Sequence, residues 1–395
     1  MTSVLESEQY RHLRKFIDDH GKVYDYPFQI EGVPNPVQAV YRVPLGLLRL
    51  NIQNGRYAAE RMARERQLGI RFDRLNPEHQ RIIRQLLKEE NPSRWHDLKV
   101  DLREHGQQTP AIVTAEGDVI NGNRRMALLL ELFDETHNAK FEVMDCTVLP
   151  LTVSEKALWR IEAGIQLSQP AQLEYGPINN LLKLREGIVA GLSFADMAAV
   201  LLGSSQDDIV ESLDRLNLID RYLDYHSKTG EYVAAQKQGL HEYFVNLQKV
   251  IKAWQREGVD KVVISRRIEN AFNVMQIVGY PGIKFSQTEF RRIRDIYSDD
   301  EARQRLETGI HEAVADDSAV KESTIRGIKN AWDDANEVEK INKDKDQSFK
   351  HVKIALDHLK AVDPKSNSFH DGRVARRLLD IETLVTVLLK NQNTM

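Results

Sequence analysis

The sequence predicts an α+β protein: a small N-terminal domain of strands and helices, followed by mostly α-helical middle and C-terminal domains. Short apolar runs broken by Pro and Gly, which are typical of strands, lie largely before residue 150. Apolar residues at helical spacing dominate from residue 151 onward. A chain of 395 residues is long enough for two or three domains. We expect these domains to span residues 1–150, 151–225 and 226–395.

Composition excludes several classes of protein. Hydrophobic residues make up 41% and charged residues 29% of the chain, which argues against wholesale disorder. No segment approaches the roughly 20 apolar residues of a membrane-spanning helix, so we expect no membrane partner. The net charge of −4 argues against a uniformly basic surface. With Cys146 as the single cysteine and a polar N-terminus that lacks a secretory signal, we expect a cytoplasmic protein without intrachain disulfides.

The first 100 residues alternate between helical and extended patterns. A helix is predicted over 7–20 and ends at Gly21. Strand-like runs follow at 23–30 and 41–45, separated by Pro and Gly. Residues 56–94 are helical in pattern, and their nine Arg and one Lys outnumber six Asp and Glu. This local excess of positive charge fits either a solvated helical face or a binding surface.

The segment 98–149 has the clearest pattern of strands and helices. In chain order it predicts helix 98–105 ended by Gly106, strand 110–114, a turn at 116–118, strand 119–120, helix 126–133 and strand 141–149. Cys146 lies inside the last of these strands. That position favours a buried, inert thiol over a nucleophile.

The remainder of the chain is predicted to be helical. Helices are expected at 155–166, 177–188, 194–201 and 206–216, and the last two, joined by a tight turn at Gly203, have helix-turn-helix spacing. The last of these helices carries four acidic residues and one Arg, which favours a packing role over base recognition and leaves both open. Beyond residue 226 we expect helices with a polar break near 342–346, a turn at 363–366 and a final amphipathic helix over 374–389.

A phosphate site is predicted where the strand 119–120 leads through Asn121, Gly122 and Asn123 into a helix. The start of a helix presents free backbone N–H groups and the positive end of the helix dipole to an anion. Arg124 and Arg125 add two guanidinium groups, which match pairs of phosphate oxygens. In the alternative interpretation, these arginines are surface residues that pair with Glu131 or Asp118.

The order of elements over 98–125 carries a resemblance to a known family. A helix ending in Gly, a Pro-led strand, a turn and an Asn-Gly-Asn-Arg-Arg box that opens a helix resemble the N-terminal domain of the ParB/sulfiredoxin superfamily. Segment 43–56 is similar to the first strand and loop of that family. Downstream, 162–166, Pro170 and the helix-turn-helix follow the order found in partition proteins. The resemblance covers about residues 41–225.

This resemblance implies a nucleotide pocket, with CTP favoured, in which the nucleotide and Mg²⁺ act as a conformational switch on DNA. The box would hold the phosphates, and the loop after the predicted helix would hold the base and sugar. The implied nucleotide-binding residues are Arg56, Gly106, Gln107, Gln108, Thr109, Pro110, Asn121, Gly122, Asn123, Arg124, Arg125 and Gln166. The glutamate of the family box is replaced by Asn123, and the second family box is degraded, although Glu162 could supply a metal ligand.

These departures favour a switch with slow or absent triphosphate hydrolysis over an efficient enzyme. Nuclease activity is not expected, because no set of carboxylates has the spacing of a metal-dependent nuclease site. The alternative is a nucleotide-independent adaptor or regulator of a DNA-modification, phage-defence or plasmid system, in which the pocket is vestigial. Distant members of the superfamily act in such systems.

Candidate partners follow from charge and apolar patterning in the C-terminal half. Arg291, Arg292 and Arg294 could hold a DNA backbone without reading its sequence, or could be solvated helix edges. The broad apolar face of the final helix is suited to core packing, to self-association or to a protein partner.

Overall fold

Within the residues that the computed structural model describes, which are 7–28, 35–167, 176–201, 203–315 and 322–392, six strands form one mixed sheet. The strands are β1 (Tyr24–Pro27), β2 (Val37–Pro44), β3 (Arg49–Leu50), β4 (Ala111–Val113), β5 (Asp118–Asn121) and β6 (Val143–Val148). Their order across the sheet is β1-β2-β6-β4-β5-β3. The β4–β6 and β3–β5 pairs are parallel and the others antiparallel. Two residues of the predicted strand 23–30, Gln29 and Ile30, lie outside the described residues.

The chain divides into two compact units after Arg291. The helices of the first unit are α1 (Glu8–His20), α2 (Ala58–Leu68), α3 (Pro77–Glu90), α4 (Pro92–His105), α5 (Asn123–Thr136), α6 (Glu155–Leu167), α7 (Pro177–Val189), α8 (Phe194–Val200), α9 (Gln206–Tyr225), α10 (Tyr232–Lys237), α11 (His241–Arg256), α12 (Lys261–Met275) and α13 (Gln287–Phe290). Those of the second are α14 (Ile293–Ser298), α15 (Asp300–Ala315), α16 (Glu322–Lys360) and α17 (Gly372–Gln392). The prediction of an early sheet followed by helices is confirmed.

The central strands β4 and β5 are buried on both faces, and their successive side chains point to opposite sides of the sheet. Val113 and Val119 face the main core, which α1, α3, α4 and α5 complete. Ile112 and Ile120 face the other side and pack against Ile161 of α6. Cys146 of β6 is fully buried, and burial raises the pKa of its thiol, as the sequence predicts for an inert cysteine.

Helices α6 to α9 pack on one another around Trp159, Met197 and Ile209. The helix-turn-helix spacing is present in α8 and α9, but α9 continues to Tyr225, nine residues beyond the predicted end at 216. Leu218, Ile219, Tyr222 and Leu223 extend its buried stripe. This burial explains why the helix continues through a segment with many polar residues.

A buried charge network joins α6 and α7. The Nζ atom of Lys183, which is fully buried, lies 2.8 Å from Glu162 Oε2 and 3.1 Å from Glu186 Oε1. Burial alone would lower the pKa of Lys183, but the two carboxylates raise it above its ordinary value, so the ammonium is retained. Glu162 Oε1 in turn accepts a hydrogen bond from the N–H of Gly55 at 3.1 Å. The network therefore anchors the segment that carries Arg56.

The second unit contains one continuous helix where the sequence predicts a break. The polar stretch 342–346 was expected to break the helix, yet α16 runs without interruption from Glu322 to Lys360. The stretch contains no Gly or Pro, and Asn342 donates a side-chain hydrogen bond to Asp299 Oδ2 at 3.1 Å. None of the described helices combines the length and apolar character that crossing a membrane requires.

Replacing Lys183 with Met should destabilise the protein by about 3–5 kcal/mol at neutral pH, because Glu162 would remain buried without its cation. Chemical denaturation measures this loss. The double variant Lys183→Met/Glu162→Gln removes the stranded charge and should recover part of the stability. A single variant as stable as the parent would contradict a structural role for this network.

Candidate functional site

The candidate site is built around the turn between β5 and α5. Gly122 has a φ of +111°, and a Cβ atom there would lie 2.9 Å from Ala111 Cβ and 3.0 Å from Met144 Cε. Only glycine fits this conformation and this close approach. The start of α5 is therefore pressed against β4 and β6. No side chain caps this end of α5, so no side chain occupies the first-turn N–H groups of 123–125, and a helix start of this kind can bind an anion.

Asn123 is buried and ties α5 to the sheet. Its Nδ2 donates to the carbonyl of Val119 at 2.7 Å, and its Oδ1 accepts from the N–H of Asn51 at 2.9 Å. A carboxylate could accept the second bond but could not donate the first. The side chain of Asn123 therefore has a structural role that requires an amide.

Arg124 belongs to a buried cluster of charge. Its Nη2 lies 2.7 Å from Glu90 Oε2, and Arg56 Nη1 lies 3.4 Å from the other oxygen, Oε1, of the same carboxylate. Burial lowers the pKa of Arg124 from its ordinary value, and the nearby charge of Arg56 lowers it further. The guanidinium groups of Arg124 and Arg56 thus contact the same carboxylate.

The partners of Arg124 differ from those the sequence suggested. Asp118 pairs with Arg49 and Arg74, and Glu131 pairs with Lys88 and Lys99. Neither carboxylate is available to the arginines of the box. The interpretation of Arg124 as a partner of Glu131 or Asp118 is therefore wrong.

Arg125 holds the loop that follows α4. Its Nη1 donates to the carbonyl of Thr109 and to Thr109 Oγ1, the latter at 2.9 Å. Burial lowers the pKa of Arg125, and among the described residues no carboxylate lies within ion-pair distance of it. This arginine therefore connects the start of α5 to the loop that follows α4.

A cavity of about 600 Å³ lies at this end of α5. Its lining brings together nine of the predicted residues, which are Arg56, Gly106, Gln108, Thr109, Asn121, Gly122, Asn123, Arg124 and Arg125. The volume is within the range of roughly 300–1,000 Å³ that small-molecule sites occupy. The sequence and the resemblance together thus located most of a single cavity from three separate segments, 56, 106–109 and 121–125.

Sequence analysis missed the contribution of α4 to the cavity. Arg94, Asp97 and Asp101 line it, and their spacing places them along one helix face. The predicted helix began at residue 98, whereas α4 begins at Pro92, capped by Asn91. The pattern Asn-Pro before a helical run is the signal that could have revealed this start. Arg94 and Asp101 are about 10 Å apart along the axis of α4, so the charge of the cavity lining changes from positive to negative over that distance.

Three of the predicted nucleotide- and metal-binding residues do not line this cavity. Gln107 bonds through both side-chain groups to the backbone of Asp145, at 2.6 and 2.9 Å, and so fixes the loop to β6. Pro110 precedes β4. Gln166 belongs to α6, and its side chain lies outside the described part of the structure. Glu162 binds Lys183 and Gly55.

The donor set does not favour a metal at Glu162. Both carboxylate oxygens of Glu162 already have partners within the protein. Among the described residues, no group of three or more His, Cys, Asp or Glu side chains is placed to hold a metal ion.

The predicted DNA-binding arginines have different environments. Arg291, the last residue of the first unit, is exposed and donates to Asn246 Oδ1 at 3.1 Å. In the second unit, Arg292 forms an ion pair with the buried carboxylate of Glu339, and Arg294 is exposed. Arg292 therefore has a structural role within its own unit.

Comparison with known proteins adds no family assignment: no family model matches the chain, and no curated protein matches its sequence.

Replacing Gly122 with Ala should lower stability by about 2–4 kcal/mol, because the new methyl group meets Ala111 and Met144 in a strained conformation. Thermal and denaturant unfolding measure the change. Gly46→Ala is the matched control, since a Cβ at that position has open space and should cost less than about 1 kcal/mol. Equal stability of the two variants would contradict the close approach at Gly122.

Proposed function

We propose that this protein is a ParB-like, DNA-associated switch that binds a nucleoside triphosphate, with CTP favoured, in the cavity at the start of α5. The observation that carries the proposal is the convergence of Arg56, Arg94 and Arg124 on one cavity beside uncapped helix N–H groups. Such an arrangement suits a chain of phosphates better than a neutral ligand.

The rest of the cavity offers groups that suit a nucleoside. Gly106, Gln108 and Thr109 supply polar backbone and side-chain groups, and Asp97 and Asp101 supply carboxylates that accept hydrogen bonds from sugar hydroxyls or an exocyclic amine. The preference for CTP rests on the resemblance to partition proteins. The cavity supports a ligand with one anionic end and one end rich in hydrogen-bond donors.

A switch requires that ligand binding in the cavity change the conformation of another part of the protein. Arg56 lies on a short segment whose backbone forms hydrogen bonds with side chains of α6 and α7. Asn179 of α7 donates to the carbonyl of Arg56 at 2.8 Å and accepts from the N–H of Ala59 at 2.9 Å. With the bond from Gly55 to Glu162, these contacts connect the cavity to the helices that precede the helix-turn-helix.

We propose further that triphosphate hydrolysis is slow or absent. The position of the family glutamate is held by Asn123, whose amide is engaged on both sides and cannot take a proton from water. Mg²⁺ would then enter with the nucleotide, held by its phosphates.

DNA association is part of the same proposal. The first turn of α9 carries Asp207 and Asp208, which would repel a phosphate backbone, so sequence reading by this helix is not favoured. Exposed Arg291 of the first unit and exposed Arg294 of the second are candidates for contacts with the DNA backbone.

Calorimetric titration with CTP, ATP, GTP and UTP, with magnesium and with or without duplex DNA, tests this function. We expect saturable binding with CTP preferred, and a loss of about 10- to 100-fold in affinity in Arg124→Ala, since a charge-assisted bidentate contact is removed. Arg103→Ala is the matched control, because Arg103 is an exposed arginine of α4 outside the cavity lining. Arg124→Ala binding as tightly as Arg103→Ala would contradict the assignment.

The exposed apolar side chains of α17 favour the second candidate function, a nucleotide-independent adaptor or regulator. Much of the helix is apolar and accessible, and the exposed residues are Leu379, Leu384, Val385, Val387, Leu388 and Leu389. A second copy or a protein partner could cover such a surface. Absence of nucleotide binding at millimolar concentration, together with loss of partner binding on truncation of α17, would favour this candidate.

A further inference from the structure

Glu90 occupies an unusual position between two helices. It is the last residue of α3, and the next residue, Asn91, ends α3 and caps α4 by accepting a hydrogen bond from the N–H of Arg94 at 3.0 Å. A carboxylate at the C-terminus of a helix faces the negative end of the helix dipole, which disfavours it. The ion pairs to Arg124 and Arg56 offset this cost.

The two oxygens of Glu90 are arranged as two oxygens of a bound phosphate would be. Oε2 contacts Arg124 and Oε1 contacts Arg56, and 22% of the Glu90 side-chain surface is exposed. Both arginines line the cavity of the proposed nucleotide site. An incoming phosphate that uses these guanidinium groups must therefore displace the carboxylate or share them with it.

We propose that Glu90 is a specificity-determining residue that competes with the ligand for Arg56 and Arg124, and so selects ligands with two or more phosphates over monophosphates. The inference rests on the proposed function, because it assumes that the ligand phosphates reach these two arginines.

The selection follows from an exchange of anions. A single phosphate that replaces Glu90 exchanges one pair of charge-assisted contacts for another and gains little. A diphosphate or triphosphate can instead place its further phosphates on Arg94 and on the uncapped N–H groups of α5, so its binding depends less on displacing Glu90. With Glu90 neutralised, a single phosphate reaches Arg124 and Arg56 without competition from that carboxylate.

The test compares Glu90→Gln with the parent chain in calorimetric titrations with CTP, CDP, CMP and inorganic tripolyphosphate. We expect Glu90→Gln to bind CMP about tenfold more tightly or better, and CTP by a smaller factor, so that the ratio of CTP to CMP affinity falls. Glu89→Gln is the matched control, because Glu89 is exposed and accepts a bond from Gln85 without contacting an arginine. Its ratio should equal that of the parent.

The outcomes separate the two proposals. An unchanged ratio in Glu90→Gln with CTP binding intact overturns the role of Glu90 and leaves the nucleotide site standing. If Glu90→Gln binds CMP more tightly than the parent does and binds tripolyphosphate with the same affinity as CTP, the role of Glu90 is supported and nucleoside recognition is overturned. Failure of all four ligands to bind either protein overturns both. If Glu90→Gln does not fold, Glu90→Asp, which keeps the charge but shortens its reach, should lower the ratio to a smaller extent.

Discussion

The close approach of Gly122 to Ala111 and Met144 is the constraint on which the site depends. A larger residue would move the start of α5 away from β4 and β6. The hydrogen bonds of Asn123 to Val119 and Asn51 require that same closeness. Because the helix start is fixed in this way, its N–H groups and the two arginines that follow are held in place before any ligand arrives. Preorganised donors of this kind bind an anion without a cost of ordering.

Arginines outnumber carboxylates in the lining of the cavity. Its charged residues are Arg56, Arg94, Arg124 and Arg125 on one side of the balance and Asp97 and Asp101 on the other. The carboxylate of Glu90 contacts both Arg124 and Arg56. A cavity with this excess of cations in its lining favours an anionic ligand.

Much of the site could be predicted from sequence because its central features are local. A strand, a glycine and two arginines at the start of an apolar helix are contiguous, so the signal at 121–125 needs no tertiary information. The loop at Gly106 was found in the same way.

The parts that were missed depend on distant contacts. Glu90 and Arg124 form an ion pair although they are 34 residues apart in the chain, and the hydrogen-bonded residues Gln107 and Asp145 are 38 residues apart. No local sequence pattern marks either pair. Arg94, Asp97 and Asp101 were missed because their approach to the start of α5 is a tertiary contact that no local pattern marks. The unbroken α16 depends on packing in the second half, where the sequence pattern is uniformly helical.

Hydrogen–deuterium exchange with and without CTP tests the central claim most directly, because the N–H groups of 123–125 have no side-chain cap in the free protein. If the ligand phosphates bind at the start of α5, exchange of the peptide covering 121–126 should slow on addition of CTP, together with that of the loop at 106–110. Unchanged exchange in both segments at a saturating concentration of CTP would contradict the account.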